Sequence, residues 1–154
     1  MLNDGKNPNV GRQGNRPGYV PFGQRQETPP VKEANYFDAK GNLRSEWVDS
    51  AAEEVAQQLK NGVKAAQLRK FYNEVKTLER IWITRGQTDD AFSQLLPQIK
   101  ILKAKAVYAK ERKVANEYFK NWLTKHVNAI NTPKDFSAFL LHFEAVVGFS
   151  KVSE

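Results

Sequence analysis

Residues 132–151 read TPKDFSAFLLHFEAVVGFSK. Thr132 fits a helix N-cap, Pro133 the first helical position, where its missing N–H is no loss, and Asp135 the third. Phe136, Phe139, Leu140, Phe143, Val146 and Val147 then recur at intervals of three and four, which predicts one broad apolar face on an α-helix. A helix this apolar on one side needs partners of the same kind, and the chain upstream supplies them.

Moving toward the N-terminus, a helix over about Val114 to Ile130 presents Tyr118, Phe119, Trp122, Leu123, Val127 and Ile130. Before it, a helix starts near Thr88, where Asp89 and Asp90 suit the positive end of the helix dipole. Pro97 forces that helix to kink or restart, because proline removes an internal hydrogen bond. Beyond it Ile99, Leu102, Ala106 and Ala109 form an apolar seam. Another helix runs from about Lys64 to Arg85, with Leu68, Phe71, Tyr72, Val75, Leu78, Ile81 and Trp82 on one side and Gly86 closing it. The first starts from Ser45 as N-cap and reaches about Lys60, with Trp47, Ala51, Val55 and Leu59 at four-residue steps; Asn61-Gly62 ends it.

No alternating strand pattern competes, so the class is all-α: a small bundle of about five helices over residues 44–154. Residues 1–43, rich in Gly, Pro, Asn and Gln, read as a flexible N-terminal tail with too few periodic apolar positions to offset the entropy of ordering. Arg12, Arg16, Tyr19, Phe22 and Arg25 could contact RNA, or the segment is a plain extension.

The chain has no Cys, which excludes disulfides and thiolate metal sites. It has no apolar run of about eighteen residues and no hydrophobic leader at its start, so the expectation is a cytoplasmic protein with no membrane partner. The net charge of +7 is unevenly spread. Residues 1–59 carry 7 Lys or Arg and 8 Asp or Glu, residues 60–113 carry 13 and 5, and residues 114–154 carry 4 and 4, giving −1, +8 and 0. The excess is a local field, for which a polyanion is the natural partner.

Within that field, residues 100–113, KILKAKAVYAKERK, hold six Lys or Arg against one Glu. At 100° per residue, Lys100, Lys103 and Lys110 share a ridge with Val107, and Ile101, Lys105, Tyr108 and Arg112 form a second ridge on the other flank of the apolar seam. On the preceding helix Arg69, Asn73, Lys76 and Arg80 stack into one stripe, beside Lys70. Basic residues also decorate ordinary solvated helix faces. Two such helices with few acids between them favour a nucleic acid, with Tyr108 lying against sugar or base while its neighbours and Lys113 meet phosphates. No zinc-finger spacing, RNP motif or helix-turn-helix glycine turn is present, so contact with backbone and shape is expected.

Catalysis finds little support. His126 and His142 sit in helices dense with Phe and Trp and read as ordinary helix-surface or core-edge histidines. Asp89 and Asp90 point about 100° apart and suit capping. There is no P-loop, GxSxG or HExxH, no metal site and no cofactor is expected, and the chain reads as a non-enzyme.

Three stretches, AQLRKFYNEVKTLER (66–80), LPQIKILKAKAVYAKERK (96–113) and DFSAFLLHFEAVVGFSK (135–151), resemble in order and spacing the small subunit of the type III-A CRISPR effector, the Csm complex. The resemblance covers the chain from about residue 60 onward, falling on Gln67, Leu68, Arg69 and Lys70, on Tyr108 to Arg112, and on Phe139 to Val147 with Glu144 and Ala145. Glu111 stands where the family often has Gly, and Gly148-Phe149 where Ala-Tyr is more usual. The resemblance implies an all-helical, non-catalytic protein, stacked in several copies beside backbone and large subunits and holding the guide RNA–target RNA duplex through phosphate and sugar contacts. The candidate RNA-binding residues are Arg69, Lys70, Lys76, Arg80, Lys100, Lys103, Lys105, Tyr108, Lys110, Arg112 and Lys113. The competing reading is an interaction module whose basic face docks an acidic protein partner.

Overall fold

The computed structural model describes residues 27–152. The expectations for Arg12, Arg16, Tyr19, Phe22 and Arg25 lie outside these. A single 3₁₀ turn, Ser45–Val48, precedes six α-helices: α1 (Ser50–Leu59), α2 (Ala65–Thr84), α3 (Asp89–Lys100), α4 (Leu102–Glu111), α5 (Glu117–Ala129) and α6 (Pro133–Val152). Among the described residues there is no strand, only the isolated bridges Phe37 to Leu43 and Val63 to Ala115.

The α6 start follows its sequence. Thr132 Oγ1 accepts from the Asp135 N–H at 3.2 Å, and Asp135 Oδ2 accepts from the N–H groups of Thr132 and Asn131 at 3.0 and 3.1 Å. That is a reciprocal capping box with Asp in place of Glu. Thr88 caps α3 by accepting from Ala91 N, and Asn116 caps α5 by accepting from Phe119 N.

Three boundaries differ from the sequence reading. Ser45 opens a 3₁₀ turn rather than a helix, and α1 begins at Ser50, after Asp49 leaves helical geometry. The tight turn swings Trp47 fully inward, where its Nε1 donates to the Asn35 carbonyl at 2.8 Å. The break expected at Pro97 falls at Ile101, four residues on: α3 runs through the proline, and the i to i−4 bonds Ile101 N to Pro97 O and Lys105 N to Ile101 O carry the ladder into α4. The α3–α4 pair is therefore one interrupted rod. Finally, α5 starts at Glu117 rather than Val114, because Val114 and Ala115 pair with Lys64 and Val63 of the α1–α2 turn. Gly62 permits this approach: a Cβ there would meet the Asn116 side chain at 2.1 Å.

The core lies where α1, α2 and α5 meet α6, with α4 closing α5 from outside. Phe119, Trp122, Phe139 and Phe143 are fully buried and pack edge-on or tilted, with centroids 5.1 to 6.2 Å apart. Such pairs add to the area term of their burial. At the centre, the His126 and His142 rings stack 4.7 Å apart, both buried, so these are core histidines rather than surface ones. Trp122 Nε1–H donates to His142 Nε2 at 3.1 Å, which leaves Nδ1 to donate to the Trp47 carbonyl at 2.6 Å.

Order also begins earlier than residue 43. Residues 31–43 form a strap across the bundle: Tyr36 is buried and its hydroxyl shares a 2.6 Å hydrogen bond with His126 Nδ1, Lys125 Nζ holds the Val31 carbonyl at 3.2 Å and Glu33 at 2.7 Å, and Lys134 lies 4.4 Å over the Phe37 ring. Asp38, Gly41 and Asn42 separate Tyr36 and Phe37 from Leu43, so the segment's apolar anchors do not add up to a periodic pattern.

Candidate nucleic-acid interface

Helix α4 buries Leu102, Ala106 and Ala109, so the seam is as the sequence spaced it, and its two basic flanks face different neighbours. On the flank toward α5, Lys100 Nζ reaches the Val127 carbonyl at 2.9 Å and Lys103 Nζ the Asn128 Oδ1 at 2.7 Å. Partial burial, and then Lys103 beside it, lower the Lys100 pKa. Lys110 pairs with Glu117, which also takes Lys120 at 2.6 Å; the hydrogen bond to Glu117 raises the Lys110 pKa. This flank is thus largely engaged within the protein.

The other flank turns toward α2. Lys105 pairs with Glu74 at 3.1 Å. Tyr108 is 64% exposed, with the Arg112 guanidinium 5.5 Å from its ring centroid. A cation over a ring face is attracted by the ring quadrupole, so the pair holds both side chains at the surface. Just beyond, Lys113 adopts φ +61°, a left-handed turn that ends the rod, and it is exposed. The chain reversal and the Val63 to Ala115 bridge bring Lys64 into one recess with Lys110, Lys113, Asn61 and Asn116.

The stripe on α2 does not join this surface as a unit. Arg69 and Lys70 line the groove between α2 and α4 together with Lys105, but Lys76 and Arg80 do not. Lys76 instead pairs with Glu79 at 2.8 Å, near Tyr72 and Glu144; that hydrogen bond raises its pKa. The expected shortage of compensating acids is also only partial, since Glu74, Glu79 and Glu117 each neutralise one of the candidate lysines. Among the described residues, Lys70, Arg80, Arg112 and Lys113 have no carboxylate partner. Lys64 was not a sequence candidate. It reaches the site only through the long-range bridge, and no local signal marks it.

Among the described residues no group of three or more His, Asp or Glu is arranged to hold a metal ion, and no helix is long and apolar enough to cross a membrane. No curated protein and no solved structure matches the chain. The family described as Csm2 Type III-A matches residues 42–154, which takes in all six helices and every basic residue of this interface. The chain therefore belongs to the Csm2 family and is a small subunit of the type III-A CRISPR Csm complex.

Proposed function

We propose that this subunit is non-catalytic and holds the guide RNA–target RNA duplex, in several stacked copies beside the backbone and large subunits, by contacts that do not read bases. The observation that carries the proposal is the exposed end of α4. There Tyr108 and Arg112 stand together at the surface, with Lys113, Lys110 and Lys64 in the adjoining recess. Amines and a guanidinium suit phosphate oxygens, and a tyrosine ring beside them suits a sugar or a base face. Lysines and arginines spaced along a turn fix a backbone without selecting a sequence.

Filter binding of the full chain to single-stranded RNA across a salt series tests the reading. With about four phosphates neutralised, log affinity falls with log salt at a slope near −3. The R112A/K113A pair lowers affinity by similar factors on unrelated RNA sequences and makes the slope shallower by about one to two. A flat salt response, or a loss confined to one sequence, overturns it.

A further inference from the structure

The recess beside the end of α4 draws its amines from separate parts of the chain. Lys64 comes from the α1–α2 turn, Lys110 from the last turn of α4, and Lys113 from the reversal that follows. Glu117 is the one carboxylate that lines it, so the lining keeps a positive balance even with Lys110 paired to Glu117. Lys64 is carried there by an interlock of two turns. Its N–H donates to the Val114 carbonyl at 3.2 Å, and Val63 bridges to Ala115. Beside that bridge the Gly62 backbone lies against the Asn116 side chain, where a Cβ would stand 2.1 Å from Nδ2 and 2.6 Å from Cγ. The amide has little room to swing aside, because its Oδ1 accepts from the Phe119 N–H at 3.0 Å as the cap of α5. Gly62 does not have a positive φ, so its missing side chain serves the close approach and not the backbone conformation.

We infer that Gly62 and Asn116 are positioning residues for RNA: their interlock sets the width of the recess, so that Lys64, Lys110 and Lys113 close on one backbone phosphate. The inference rests on the RNA reading of this end of α4. No aromatic ring lines the recess, so it has nothing on which a base could stack, whereas amines that only donate match phosphate oxygens that only accept. Net charge alone does not require the interlock. Three lysines on unconnected loops would have the same sum and nearly the same field at a distance of about 8–10 Å, the screening length near physiological salt. Direct contact is more demanding, since a hydrogen bond is lost once the amine moves beyond about 3.2 Å. Without the interlock the long-range attraction would survive and the contact from Lys64 would not.

The test measures binding of the full chain to a short oligouridylate across a salt series. G62A changes no charge, yet it is expected to lower affinity about fivefold, close to the effect of K64A, and to make the salt slope shallower by about 0.7, one phosphate on a single strand. Serine caps a helix about as well as asparagine and is shorter, so G62A/N116S is expected to return affinity to within about twofold of the parent. G62A/K64A is expected to bind no more weakly than K64A. Because the chain has no cysteine, K64C/K113C can carry a pair of spin labels. The distance between them is expected to lengthen on adding G62A and to recover on adding N116S as well, which reads the interlock directly whatever G62A does to stability. Parental affinity in G62A, additive losses in G62A/K64A, or a label distance that G62A leaves unchanged each overturn the inference while leaving the RNA reading intact. A parent whose binding does not respond to salt overturns both.

Discussion

Tyr36 and His126 are ninety positions apart in sequence and share a 2.6 Å hydrogen bond in the core. Buried beside that hydroxyl, the His126 imidazole, like that of His142, is held neutral. Burial, then His142, then Lys125 press the His126 pKa well below its ordinary value, and burial lowers that of His142 to about 4. In the unfolded chain both rings protonate near 6.5. The folded state is therefore at full strength above that pH and weakens as pH falls from about 6.5 toward 4. For His142 alone the loss between pH 7 and 5 is about 2 kcal/mol, at ~1.36 kcal/mol per pH unit. Urea melts of the parent at both values are expected to show it, and H142F, though less stable overall, is expected to have a shallower pH slope. The sequence reading placed both histidines at the helix surface or core edge. Their stacking depends on two helices meeting in one register and on Tyr36 arriving from the strap, neither of which a one-dimensional pattern encodes.

At the scale of elements, what was legible was what local chemistry determines. Thr132, Pro133 and Asp135 spell out a helix start, and all three take the positions their side chains favour. D135A removes an acceptor that serves two backbone N–H groups and is expected to cost about 1 kcal/mol, read as a lower urea midpoint at unchanged slope. Ser45 offered an equally good cap, yet the pull of Trp47 into the core overrode it. Pro97 was read as a breaker, but one missing N–H leaves the remaining ladder able to carry the rod through to Ile101. Val114 and Ala115 had the composition of a helix start and are held extended by a bridge from residues some fifty positions earlier. The misses at Ser45 and Val114 trace to tertiary contacts, and the one at Pro97 to the helix's own ladder.

Over the whole molecule, the sequence located the cationic third of the chain but not its distribution between surfaces. Charges summed along the chain cannot show that Glu117, outside that third, reaches back to Lys110, or that Lys76 spends its charge on Glu79. The arrangement has a measurable corollary: E117Q releases Lys110 and Lys120 together. It is expected to tighten binding to single-stranded RNA and to steepen the salt slope by about one, seen in gel shifts at several ionic strengths. The strap bears on a different question, the order in which the protein comes off the ribosome. Tyr36 is synthesised ninety residues before the histidine that receives it. At about 5–20 residues per second, that leaves roughly 5–18 s in which its ring has no core to enter. The strap is then made before every helix it lies on and is among the last segments to be seated, and a cell must carry it exposed until α5 and α6 have been completed.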